Sequence, residues 1–214
     1  MAANAVPGFL PSRYGFHFAN RWPAGPARVV EVGSVRIPIG EVSRGLCGGM
    51  AFAARDRFVR GEVAPSDVRP PAFGTPLFTE IVDRQFDSFG IGFTVPIVFW
   101  LAAISDQVAR NRTSIRDTWP AIRSAIDAGQ PAMVGLVRNA TWNPLALDLG
   151  HQVVAYRYEE SAASATFWIY DPNHPDDDTV RITLAKRPDG SYAMSQSTGE
   201  PLLGVLALPY TPAG

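Results

Sequence analysis

Cysteine is nearly absent: the 214 residues hold one, Cys47. A lone thiol closes no disulfide within the chain, so no cross-linked scaffold is available to hold the fold. Charge of one sign is also missing. The formal net charge is −1, and the basic residues, all arginine except Lys186, are scattered rather than gathered on a stripe. That excludes an electrostatic case for nucleic acid or an anionic membrane surface. Long apolar runs are lacking too. The most apolar segment, Ile91 to Ile104, is interrupted by Thr94 and Pro96 and falls short of the roughly 20 residues that a membrane helix needs. It reads as a core helix. The opening Met1-Ala2-Ala3-Asn4-Ala5-Val6-Pro7-Gly8 has neither the basic start nor the apolar stretch of a secretory signal. Together with the free thiol this leads us to expect a reducing, cytoplasmic location. Three dispersed histidines and one cysteine give no support to a zinc site, and no Gly-rich phosphate loop follows a strand. No cofactor is expected.

What is present suffices for a core. Hydrophobic residues make up 46% and charged residues 18%, ordinary values for a folded chain of this length. The whole of 1–214 reads as one domain in three parts. Residues 1–45 are rich in proline, with Phe9, Tyr14, Phe16, His17, Phe18 and Trp22 between, and predict an extended segment wrapping the body, with one strand over Ala27 to Val35 and His17 in a packing role. Residues 46–130 read as a helical lobe: Cys47 to Arg60, Leu77 to Phe86 after a proline-rich loop, Val95 to Val108, and Asp117 to Ala128. Residues 131–214 turn to short strands: Ala132 to Val137, Gln152 to Tyr158, Thr166 to Tyr170, Thr179 to Leu184 and Leu202 to Leu208. Helices followed by an antiparallel sheet give an α+β architecture.

The chemistry centres on Gly45-Leu46-Cys47-Gly48-Gly49-Met50. A thiol has a pKa of about 8.5 and attacks only as the thiolate. A helix N-terminus, with its free N–H groups and roughly half a positive charge, favours that anion. The Cys47 N–H would also face a developing oxyanion. Gly48, Gly49 and, downstream, Gly150 suggest close approach of a substrate along a cleft. His151, directly after Gly150, starts one apolar strand, and Asp171 follows the end of the next. In an antiparallel pair the end of one strand lies beside the start of its partner, which makes the two neighbours. Cys, His and Asp are then nucleophile, base and orienting carboxylate. Each alone has a plainer reading: a buried cysteine is a small hydrophobe, a histidine a satisfied core residue, Asp-Pro a turn opener. Asp171, Asn173, His174, Asp176, Asp177 and Asp178 form an acidic run that lacks the spacing of an EF-hand loop and reads as a solvated turn.

Gly-Leu-Cys-Gly-Gly-Met opening a helix, Gly-His-Gln-Val-Val-Ala-Tyr and Ile-Tyr-Asp-Pro-Asn-His-Pro together resemble the papain-like cysteine peptidase superfamily, nearest its bacterial C39-like branch. The resemblance runs over about residues 40 to 210 in element order. It implies a two-lobed fold, a helical lobe carrying the Cys helix and a sheet lobe carrying the His. It also implies Cys47, His151 and Asp171 as the triad of a peptidase or isopeptidase acting on a peptide or protein. Acyl transfer or deamidation by the same groups, favoured if the N-terminal aromatics exclude water, and a non-catalytic binding protein on the same fold are the alternatives. The sequence departs from that family's pattern at one point. The glutamine usually found a few residues before the nucleophile is missing from Gly40-Glu41-Val42-Ser43-Arg44, which leaves Ser43 or Asn20 as the side-chain oxyanion donor.

Overall fold

A computed structural model describes residues 1–32, 35–142 and 150–213, without the side chains of 31, 32 and 35–37. Its elements begin with strand β1 (Ala2–Ala5), a short helix α1 (Pro11–Tyr14) and a hairpin of β2 (Arg28–Val32) and β3 (Val35–Ile39). Helices α2 (Cys47–Arg60), α3 (Pro76–Asp87), α4 (Thr94–Ile104), α5 (Gln107–Arg112) and α6 (Trp119–Asp127) come next. Strands β4 (Ala132–Val137), β5 (Gly150–Glu160), β6 (Ser164–Tyr170), β7 (Arg181–Lys186), β8 (Tyr192–Gln196) and β9 (Gly204–Ala207) complete the chain. The fold is mixed α+β, helices first and an antiparallel sheet after.

The sheet runs β8-β7-β6-β5-β4-β9. The long β5 shares one edge between two partners, β4 along its first half (Val137↔Gly150 to Ala132↔Ala155) and β1 along its second (Ala5↔Arg157 to Ala2↔Glu160). The chain's first strand thus ties the N-terminal segment to the centre of the sheet. Beyond it, Val6, Phe9 and Tyr14 enter the main core with Phe52 of α2, the sheet and α6. Phe16, Phe18 and Trp22 enter a second cluster with Met50 and Ala53 of α2 and Phe78, Ile81 and Val82 of α3. Helix α2 is therefore apolar on two faces: Ala51, Phe52 and Ala54 meet the sheet, and Met50 and Ala53 meet α3. A helix buried on both sides has a nearly continuous apolar sequence, and Met50–Ala54 has one.

Gly48 and Gly49 serve this packing. A Cβ on Gly49 would lie 2.0 Å from the Ile81 carbonyl oxygen, and one on Gly48 would lie 2.1 Å from Ser88 Oγ. Both are buried, and neither lines a cavity around Cys47. The expectation that they open the cleft to substrate is corrected: Gly49 lets the α2 and α3 backbones approach, and the space at Gly48 is taken by the side chains of Ser88 and Gln152. Gly150 does line the cleft, and its missing side chain is filled by the Phe99 ring, 2.7 Å from where a Cβ would be.

Other boundaries moved for physical reasons. The expected strand Ala27 to Val35 is a hairpin, with Gly33 and Ser34 outside the described residues. The expected helix Val95 to Val108 breaks at Ser105, because Asp106 caps a new helix by accepting from the Ala109 N–H (2.7 Å). That helix, α5, runs through a π-helical stretch, Thr113–Thr118, into α6, so the expected start at Asp117 falls inside a longer helical run. The Arg187-Pro188-Asp189-Gly190 turn joins β7 to a strand, β8, that sequence reading passed over, with Ala185 opposite Ala193. No single helix among the described residues is long and apolar enough to cross a membrane.

Candidate active site

Cys47 is the first residue of α2, half-buried, with Leu46 as an N-cap that offers no side-chain acceptor. No acidic residue stands in the first turn. The N–H groups left open by a helix start must find other partners. Leu46 N–H donates to Asn20 Oδ1 (2.6 Å) and Gly49 N–H to Gln85 Oε1 (2.9 Å). The backbone N–H groups of Gly48 and of Gln152 on β5 favour the thiolate. With no acid in the first turn, the helix start favours the same anion.

His151 and Asp171 meet as the strand argument required. Continuing the Val154↔Tyr170 register by one step sets Asp171 against Val153, which shares a face of β5 with His151. The imidazole Nε2 lies 2.6 Å from Asp171 Oδ1, both residues buried. That leaves Nδ1 as the ring nitrogen free for the thiol, and the two groups favour each other's charged form. The carboxylate is held on its remaining side: Asp171 Oδ1 also accepts from Asn173 N–H (2.9 Å), Oδ2 accepts from Gln196 Nε2 (2.8 Å), and the Arg138 guanidinium stands 3.8 Å away. Gln196 is in turn fixed by Arg138 Nη2 (2.9 Å). A carboxylate so surrounded cannot rotate away from the imidazole. Gln196 and Arg138 were not foreseen from sequence. Gln196 belongs to the unread strand β8, and nothing in the local sequence of Arg138 distinguishes it from the other arginines.

The electrostatics follow from these contacts. Burial pushes the Cys47 thiol up, but the His151 hydrogen bond and charge, with the Gln152 and Gly48 N–H groups, outweigh it and hold the thiol below its ordinary value. Burial pulls His151 down, while the charge and hydrogen bond of Asp171, then Cys47, push it up to about 10. Asp171, against the cost of burial, is held well below the usual carboxylate range by His151 and the Asn173 N–H. All three shifts favour a thiolate–imidazolium pair over the neutral pair.

Asn20 stands on the other side of Cys47. Its backbone N–H donates to the Pro172 carbonyl (2.8 Å), and its side-chain oxygen accepts from Leu46 N–H and from Trp22 Nε1 (2.9 Å). With Oδ1 occupied, Nδ2 is the free end; its one protein partner among the described residues is Asn173 Oδ1 at 3.4 Å, and Asn20 lines the cavity with Cys47 and His151. Gly45 (φ 97°) must be glycine here, since a Cβ would lie 2.6 Å from that Nδ2. Ser43 is engaged elsewhere: its Oγ and N–H both donate to Glu41 Oε1, which caps the 3-10 turn Val42–Arg44 and also accepts from Gly25 N–H. Ser43 lines neither cavity beside the thiol. Of the two expected side-chain donors, Asn20 is the one at the site.

Among the described residues, two cavities flank Cys47. One, about 400 Å³, is walled by Phe86, Phe89, Phe93, Val95, Pro96 and Phe99, with Gln152, Glu41 and Arg44 also in its lining. The other, about 250 Å³, holds His151 and is polar. The acidic run after Asp171 is divided among separate tasks: His17 Nδ1 pairs with Asp176 (2.5 Å), Asp178 accepts from Ser12, Asp177 caps Thr179, and His174 pairs with Glu200 (2.7 Å). His17, expected to pack among aromatics, instead hydrogen-bonds Asp176 and ties the N-terminal segment to the turn after Asp171. Among the described residues no cluster has the composition of a metal site. Comparison with protein-family profiles, with curated proteins and with solved structures returns no match for this chain.

Proposed function

We propose that the protein is a cysteine-dependent hydrolase of papain-like, two-lobed architecture, acting on peptide or isopeptide bonds. The observation that carries this reading is the convergence of Cys47 at a helix start with a His151–Asp171 pair locked by Gln196 and Arg138. Cys47 Sγ attacks the carbonyl carbon; the carbonyl oxygen takes the negative charge. The Cys47 N–H and Asn20 Nδ2 stabilise it. His151 gives its proton to the leaving nitrogen, the C–N bond breaks, and a thioester remains. Water, deprotonated by His151, then attacks the thioester and releases the acid and the thiol. Asp171 keeps the imidazole oriented and stabilises its charged form. The phenylalanine-walled cavity suits an apolar acyl portion.

Transfer or deamidation by the same groups would be favoured by aromatics shielding the thioester from water. Phe16, Phe18 and Trp22 are instead buried against α2 and α3 and line neither cavity, which supports hydrolysis.

The test is the rate of iodoacetamide alkylation of Cys47 against pH, with glutathione as the free thiol. Because the Cys47 pKa is lowered, the thiolate forms, and the rate rises, at lower pH than for glutathione. A second inflection is expected near pH 10, where His151 loses its proton and the ion pair dissolves. His151→Ala removes the lowering cause and leaves burial, so the first rise should move up toward or past the ordinary thiol value. A wild-type profile matching glutathione would rule out the activated thiol.

Asn20→Asp keeps the oxygen that binds Leu46 and Trp22 and replaces the oxyanion donor with a repelling oxygen. Hydrolysis of p-nitrophenyl acetate should slow by about 10²–10³ in kcat, with the thermal midpoint little changed. An unaltered kcat would remove Asn20 from the oxyanion site.

A further inference from the structure

We propose that the leaving group of the substrate carries an anion, a carboxylate or a phosphate, held by Arg44 in the polar cavity beside His151. This rests on the reading of Cys47 as nucleophile and His151 as proton donor.

The side on which the leaving group lies is fixed by chemistry. Its nitrogen must receive the proton that His151 carries, so it departs on the His151 side of the thiol. Of the two cavities that flank Cys47 among the described residues, the one of about 250 Å³ is lined by His151 and the other is not. Among the described residues its other side chains are Asn20, Arg44, Arg138, Asn139 and Asn173, two cations and three amides, with no carboxylate.

The two arginines differ in what already holds them. Arg138 is turned toward Asp171 and Gln196, with Nη1 buried and without a partner among the described residues. Arg44 is exposed, and among the described residues its side chain makes no hydrogen bond or ion pair. The carboxylate three residues before it, Glu41, accepts from Gly25 N–H and from the N–H and hydroxyl of Ser43 through Oε1, and it meets Arg44 only through the field of its charge, with no hydrogen bond or ion pair between them. Arg44 also lines the apolar cavity and so stands at the junction of the two, next to the thiol. A guanidinium presents a planar fork of donors that matches a carboxylate or phosphate edge. An apolar acyl group on one side of Cys47 and an anion on the other would orient the scissile bond. A neutral extended peptide would leave the cation unmatched.

Alkylation kinetics test this without knowing the substrate. Iodoacetate places a carboxylate beside the thiolate, and neutral iodoacetamide reports the thiolate itself. Each rate is taken relative to glutathione with the same reagent. Because the His151 imidazolium also attracts iodoacetate, the deciding quantity is the iodoacetate-to-iodoacetamide ratio in wild type against Arg44→Gln. The ratio should favour iodoacetate in wild type, fall about tenfold in Arg44→Gln and recover in part in Arg44→Lys. It should also fall as salt is added, since the cation is exposed. Acetate and inorganic phosphate are then compared as protectants against iodoacetate, and the one acting at lower concentration names the anion. A ratio unmoved by Arg44→Gln overturns the proposal while leaving the nucleophile intact. An iodoacetamide rate no higher than that of glutathione at neutral pH overturns both.

Discussion

Cys47→Ser should fold like the parent protein and lose hydrolysis by on the order of 10⁴–10⁶, the scale seen when the nucleophile of a triad is removed. The two halves of this expectation come from different observations. The thiol is half-buried and its neighbours are polar: the His151 imidazole and the Gln152 and Gly48 N–H groups. A hydroxyl can accept from the same donors, so the thermal midpoint should move by no more than about 2–4 °C, the equivalent of about 1 kcal/mol in a chain of this size. The chemistry depends on an anion that serine does not supply. At neutral pH a hydroxyl stays protonated, so the attacking anion is missing even though Asp171 still holds the imidazole in place. Unfolding of the variant, or full retention of p-nitrophenyl acetate hydrolysis, would each show that Cys47 does something other than attack.

Asp56→Ala should give the largest loss of stability. Asp56 on α2 and Arg84 on α3 form a two-point ion pair (Nε to Oδ2 2.7 Å, Nη2 to Oδ1 3.1 Å), with side chains 3% and 7% exposed. The same carboxylate accepts from Tyr210 Oη (2.6 Å) and Ala213 N–H (3.2 Å), and Arg84 donates to the Thr211 carbonyl (2.5 Å). The chain's C-terminal residues are thus fastened across both helices. Arg55 adds to this by lying 3.8 Å over the Tyr210 ring. Removing the acid leaves a buried guanidinium and two donors unmatched, which costs about 3–5 kcal/mol. The lower end is expected, because Arg84 keeps Asp87 (2.6 Å) and Thr211. At about 2–4 °C per kcal/mol the midpoint should fall by at least about 6 °C. Cleavage near residues 208–213 by a nonspecific protease should rise with it. Asp56→Leu combined with Arg84→Met should recover most of the loss, since desolvation of the charges offsets much of their attraction. If Asp56→Ala moves the midpoint by less than about 2 °C, the pair is solvated in solution and the tail is not held by it.

The pair also bears on the site. Helix α3 supplies Gln85, which holds the Gly49 N–H, and Phe86, which walls the apolar cavity. Loosening α2 from α3 should therefore alter the Cys47 turn as well as global stability.

Much of this was legible in the chain. The run Met50–Ala54 is apolar all round, and a helix with that pattern must be buried on both faces, as α2 is. The alternation and β-branched content of Gln152–Tyr158 and Thr166–Tyr170 fixed two neighbouring strands, and antiparallel pairing then required His151 and Asp171 to lie near each other. They do, at 2.6 Å. These features follow from periodicity and from short-range backbone rules, which a sequence carries directly. Boundaries were less legible where a side chain competes with the backbone, as Asp106 does in splitting one expected helix into α4 and α5.

What only the tertiary structure decided is which groups complete the site. Asn20 and Ser43 were equal candidates as oxyanion donors on paper. The outcome depends on the N-terminal segment being pinned by β1 pairing and by Phe16, Phe18 and Trp22, which carries Asn20 to the Cys47 turn from 27 positions away. Gln196 and Arg138 reach Asp171 from β8 and the end of β4, and no local pattern marks either. Gly48 and Gly49 looked like an opening for substrate and are packing contacts, because a glycine in sequence says that something comes close without saying what. The chain by itself determined most of its secondary structure, the apolar faces and the approach of His151 to Asp171, all of which rest on near neighbours along the sequence or across one strand pair. Contacts between residues distant in the chain have no such periodic signature, and they set the place of Asn20 beside Cys47, the clamp on Asp171 and the cavities on either side of the thiol.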